Sequence, residues 1–210
     1  MSRPKPWGFI AGALALVLFI GGLLTYAVLN AGTESPRGEQ DRVRTALEEE
    51  GGVQAVADLP RNHVEGPVNY PQTPPVGGDH NGVWQSCQGT VYTERIASEH
   101  AVHSMEHGAV WVTYRPDLPA AQVDTLARRV QGLDYTLMSP FPDLPSPVVL
   151  SAWGKQLAVD RADDPRVEQF IQAYRIQASQ EPGATCSSPL TVQGVDAPLT
   201  QEQLAEVTGS

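Results

Sequence analysis

Basic residues are scarce in this chain. Lys and Arg number 14 against 24 Asp and Glu over 210 residues, a formal net charge of −10 and a sequence pI of about 4.8. A polyanion repels a phosphate backbone, which argues against nucleic acid as a partner. Cysteine is nearly absent, with two residues, Cys87 and Cys186. Several chemistries lack their motif. There is no C-x-x-C-H haem attachment, no P-loop, no G-x-G-x-x-G turn, and no G-x-S-x-G elbow around Ser104. No internal repeat is visible. Hydrophobic residues at 41%, with 18 Pro and 19 Gly, describe a folded chain rich in loops rather than a disordered one.

Long apolar runs are equally rare, with one exception. Trp7 to Leu29 carries no charge, and about 20 such residues at 1.5 Å each span a hydrocarbon core about 30 Å thick. Arg3 and Lys5 precede it and no acid does, so the positive-inside rule keeps residues 1–6 in the cytoplasm. The run exceeds a signal-peptide core and lacks a clean cleavage site. The expectation is therefore a single-pass membrane protein, partnered with the membrane through this helix. Residues 7–29 would cross, 30–51 would form a linker and stalk, 52–190 an extracytoplasmic domain, and 191–210 a C-terminal tail. In that setting Cys87 and Cys186 are expected to pair as a disulfide, the alternative being two thiolate metal ligands.

Gln40 to Glu50 has helical spacing and stops at Gly51-Gly52. Arg61 to Trp84 holds four prolines and four glycines, too many breakers for a regular element. Ile96 to His107 is apolar-periodic, and Ala109 to Tyr114 reads as a strand. Ala120 to Val130 is an amphipathic helix with Pro119 and Gly132 at its ends. Tyr135 to Met138, Val148 to Trp153 and Lys155 to Val159 read as strands. Asp164 to Gln177 is a helix with Asp164 as N-cap and Pro165 in its first turn. A weak helix closes the chain at Gln201 to Val207. Interleaved helices and few short strands predict an α+β fold, a small sheet with helices packed on one face.

All five histidines fall between His63 and His107. On a helix His100, His103 and His107 share one face, a metal-ligand arrangement suited to zinc, copper or nickel. The order of motifs resembles a known family. His63-Val64, then Pro74 and Pro75 with Gly78 and His80, then Val102 to Gly108, Met138 to Pro142, and Ala152 to Gly154 match it, over roughly Gly52 to Cys186. That family, mostly actinobacterial and membrane-anchored, is catalogued as domain of unknown function 3105. The resemblance implies no activity. It shares the motifs that hold His63, His80, His103, Glu106, His107 and Met138, whereas His100 lies outside them.

Three functions are open on these grounds. His63, His80, His103 and His107 would close a copper or zinc site, with Met105 or Met138 adding a thioether that favours Cu(I), and Glu106 accepting an imidazole N–H. His103, Glu106 and His107 also fit H-x-x-E-H, in which Glu106 would be the general base of a zinc hydrolase and Glu168 a distant ligand. The third reading has no metal: the histidines pin the Pro/Gly segment, and the domain serves as a structural or interaction partner of another envelope protein.

Overall fold

The structure, a computed structural model, describes residues 16, 18–26 and 36–209. Residues 18–26 are helical (α1). Among the described residues no helix is long and apolar enough to cross a membrane. The expected span is corrected accordingly, together with the membrane as a partner and the single-pass placement of the C-terminal domain. The remainder of Trp7 to Leu29, and residues 1–6, lie outside the described residues.

From Arg42 onward the chain is one compact unit. After α2 (Pro36–Glu49) come β1 (Gln54–Ala55), β2 (Gln88–Val91), α3 (Ser98–Glu106), β3 (Val110–Tyr114), α4 (Ala120–Val130), β4 (Thr136–Pro140), β5 (Val148–Ala152), β6 (Lys155–Val159), α5 (Pro165–Tyr174) and α6 (Gln201–Thr208). Six strands form one mixed sheet in the order β1-β6-β5-β3-β4-β2. β4 lies parallel between β2 and β3, and β5 and β6 complete the other half antiparallel.

The α+β class holds, but the helices cover both faces rather than one. Along β3, Val110, Val112 and Tyr114 point into a core with Leu126 and Val130 of α4 and Val167, Phe170 and Ile171 of α5. Leu47 of α2 joins that layer. Trp111, on the alternate face, packs with Ala101, Val102 and Met105 of α3. Connectivity explains the division. β2 to β3 steps across β4, and β3 to β4 steps back. Right-handed crossovers in opposite directions deposit α3 and α4 on opposite faces. Strands covered twice lose polar alternation, as β3 (VWVTY) and β5 (VVLSA) do, every residue being buried. Their few hydroxyls are partnered inside, Thr113 Oγ1 donating to the Val149 carbonyl at 2.8 Å.

The face that carries α3 is completed by the Pro/Gly stretch and by the chain after α5. Cys87 and Cys186 are bonded, with Cα atoms 4.8 Å apart and 99 residues of sequence separation. This bears out the disulfide and removes both thiols as metal ligands. Backbone bonds flank it, from Cys87 N to the Cys186 carbonyl at 3.1 Å and from Ser86 N to the Leu190 carbonyl at 2.9 Å. Closing a loop of this length restricts the unfolded chain by about 4.7 kcal/mol in the entropy model, an upper value that measured effects often fall short of. The double variant Cys87→Ala/Cys186→Ala is expected to unfold in urea with a stability lower by about 3–4 kcal/mol; an unchanged midpoint would contradict this role.

Candidate functional site

All nine residues of α3 are buried, although its sequence, SEHAVHSME, is largely polar. Buried polar groups require partners, and here the backbone of residues 81–85 supplies most of them. Nδ1 of His100 is 2.6 Å from the Val83 carbonyl and Nδ1 of His103 is 2.7 Å from that of Asn81. Ser104 Oγ donates to the Gln85 carbonyl at 2.7 Å. A carbonyl only accepts, so Nδ1 of each ring carries the proton and, in the neutral ring, Nε2 carries the lone pair. For His100 that lone pair is used, accepting from the Leu199 amide at 3.1 Å.

The Pro/Gly stretch folds back on itself to deliver two more rings. Val64 N donates to the His80 carbonyl and His80 N to that of Asn62, a short parallel bridge that sets His63 beside His80. Asp79 Oδ1 accepts from the amide and side chain of Asn62 at 3.1 and 2.8 Å. Gly77 sits at φ 142°, and a Cβ there would come 2.8 Å from Leu59 Cδ1 and 3.1 Å from the Trp153 ring. Only glycine lets this turn approach so closely. His80, fully buried, donates from Nδ1 to the Gly78 carbonyl at 2.8 Å.

These elements bring three imidazoles together. Ring centroids of His63, His80 and His103 are 4.7 to 5.0 Å apart. Glu106, the last residue of α3, turns its carboxylate into the same space. One ligand atom from each of His63, His80, His103 and Glu106 lies within 4.8 Å of all the others. Glu106 Oε2 is 2.9 Å from His80 Nε2 and 3.9 Å from His63 Nε2. The 2.9 Å contact does not have hydrogen-bond geometry, and both atoms are buried with no other partner. Arg61 Nε lies 4.0 Å from the second Glu106 oxygen.

His107 stands beside this set rather than inside it. Its Nδ1 is bonded to the Thr185 carbonyl at 2.7 Å, and its Nε2 is 3.6 Å from Glu181 Oε2. With His103 they form a second group of ligand atoms. Glu181 had no signal in the sequence. It lies in coil and reaches the site because Gln180 N and Glu181 N donate to the Glu106 carbonyl at 2.8 and 3.3 Å. Glu106 itself, expected as an acceptor or a general base, stands among the ligand atoms. Met105 is wholly buried in the apolar layer beside Trp111, and Met138 lies in the layer on the opposite face of the sheet. Glu168, on α5, bonds to Gln172 instead.

Electrostatics keep the central ring neutral. Burial pushes the His103 imidazole down to about 3, against the pull of the Asn81 carbonyl, and the rings of His80, His107 and His63 lower it further. Burial also lowers His100. The family model described as "Protein of unknown function (DUF3105)" matches residues 63–188. No curated protein and no solved structure matches.

The depressed histidines set a pH dependence. An unfolded histidine takes a proton near 6.5, and the folded rings resist it. Stability from this source is complete above that value and falls as acid is added, by up to about 1.4 kcal/mol per pH unit for each of His100 and His103. Urea unfolding of the metal-free chain at pH 7.5, 6.5 and 5.5 should show the loss setting in below 6.5. Equal stability at all three values would contradict it.

Proposed function

We propose that this chain, which belongs to the family described as protein of unknown function DUF3105, holds one transition-metal ion, zinc(II) or copper(II), between His63, His80, His103 and Glu106. The observation that carries the reading is the approach of His80 Nε2 to Glu106 Oε2 at 2.9 Å, two buried atoms that make no hydrogen bond to each other or to anything else. In the neutral ring with the proton on Nδ1, a lone pair and a carboxylate oxygen at that distance repel, and burial costs each atom its hydration. A cation bound by both turns the contact into attraction. Ligand atoms on a tetrahedral zinc stand about 3.3 Å apart, since each bond is about 2.0–2.1 Å. The present set, within 4.8 Å, closes on an ion with side-chain movements of about 1 Å.

The donor set argues for the metal class. Three imidazoles and one carboxylate suit zinc(II) and copper(II), and no thioether is present to favour Cu(I). Each buried ring is oriented by an Nδ1–H bonded to a backbone carbonyl, the arrangement that holds a ligating imidazole by its outer nitrogen. A purely structural role accounts for those Nδ1 bonds and leaves the inward atoms unexplained. A hydrolase has less behind it, because Glu106 occupies a ligand's place and His107 groups with Glu181 instead.

The full chain should bind one Zn(II) or Cu(II), measured by calorimetry, with Glu106→Gln and His80→Ala each weakening it about 100-fold and Glu168→Gln leaving it unchanged. Binding at 100 times Kd should add about 2.7 kcal/mol to stability. A chain that takes up neither ion, or whose Glu106→Gln variant binds as tightly as the parent, would contradict the proposal.

A further inference from the structure

His103 belongs to both groups of ligand atoms, and this has a chemical consequence. Its Nδ1 is committed to the Asn81 carbonyl at 2.7 Å, so one lone pair, on Nε2, serves both sides. A single lone pair binds one ion. The inner set of His63, His80, His103 and Glu106 and the outer set of His103, His107 and Glu181 are therefore alternative positions for the same ion, not a two-metal centre.

The two ends of this chain of ligands differ in charge. The inner set opens to solvent at His63, whose side chain is half exposed, and there the half-exposed Arg61 guanidinium sits 4.0 Å from Glu106. A fixed positive charge at that mouth opposes an arriving cation. The outer set opens at Glu181, a carboxylate 48% exposed, behind which His107 is 5% exposed. Negative charge at this mouth attracts a cation, and behind it the His107 and His103 rings stand 4.7 Å apart.

We infer that Glu181 and His107 form the port through which a divalent transition-metal ion reaches the buried set, passing across His103. The inference rests on the metal-binding reading above and adds a route to it. The port lowers the barrier to loading and unloading without altering the bound state. Its loss therefore slows uptake and release by the same factor.

Trp84 reports on the port, its ring centroid being 4.7 Å from that of His107 and 5.5 Å from that of His103. Copper(II) quenches a nearby indole, so stopped-flow fluorescence of the full chain mixed with Cu(II) follows loading directly. Glu181→Gln should slow uptake about tenfold, with release slowed equally, Kd within threefold of the parent and one ion still bound. His107→Ala should slow it further. The surface position of Glu181 keeps the experiment decisive should His107→Ala fail to fold. Parental rates in Glu181→Gln with one ion bound would overturn the port and leave the inner site standing. Two ions per parent chain would overturn the sharing of His103. No uptake by the parent chain would overturn the metal-binding reading as well.

Discussion

The site depends on one kind of bond, an imidazole Nδ1–H donated to a backbone carbonyl. His80, His100, His103 and His107 each make it, at 2.6 to 2.8 Å. The bond satisfies half of a buried ring and fixes its tautomer and direction. What distinguishes the four is the other nitrogen. His100 Nε2 is met by the Leu199 amide, which makes that residue a satisfied core histidine. Nε2 of His80 meets the carboxylate of Glu106 and that of His107 the carboxylate of Glu181, so each faces an acidic oxygen rather than a backbone amide. The same hydrogen bond thus completes packing at one position and leaves Nε2 facing a carboxylate at His80 and His107.

The fold supplies the carbonyls. Residues 78–83 hold three of the four, two of them accepting from rings of α3. The disulfide closes this layer next to the Thr185 carbonyl that orients His107. Gly108, at φ 108°, allows α3 to end against Ile176 and Ser179, where a Cβ would lie 3.0 Å from each. The site is therefore built on a helix end, a disulfide and a glycine-rich turn held by several long-range contacts, the kind of support that keeps ligand atoms in place.

Much of the chain could be read in advance where local signals were strong. α4 runs from Ala120 to Val130 and β6 from Lys155 to Val159, the bounds that periodicity, Pro119 and the Gly154 turn imply. The edge strands could not be read. β1 has two residues and β2 reads QGTV, with little alternation, so they exist only through pairing with β6 and β4. Cover on both faces was written in the unbroken apolar runs of β3 and β5, which a one-sided sheet would not tolerate. The crowding of histidines into one window pointed to His63, His80, His103 and His107, and the fold sets the first three rings within 4.7 to 5.0 Å of one another. The separation of His100 from them rests on an amide 99 residues away, and the recruitment of Glu181 on a coil tied to the Glu106 carbonyl, neither of which leaves a local trace.

In the proposed site, imidazole nitrogens and one carboxylate oxygen converge on an ion. X-ray absorption at the metal edge of the zinc-loaded full chain tests it most directly. Four nitrogen or oxygen neighbours at about 2.0–2.1 Å are expected, with the outer-ring scattering of three imidazoles and no sulfur. A sulfur neighbour near 2.3 Å, or an oxygen shell without imidazole scattering, would contradict it.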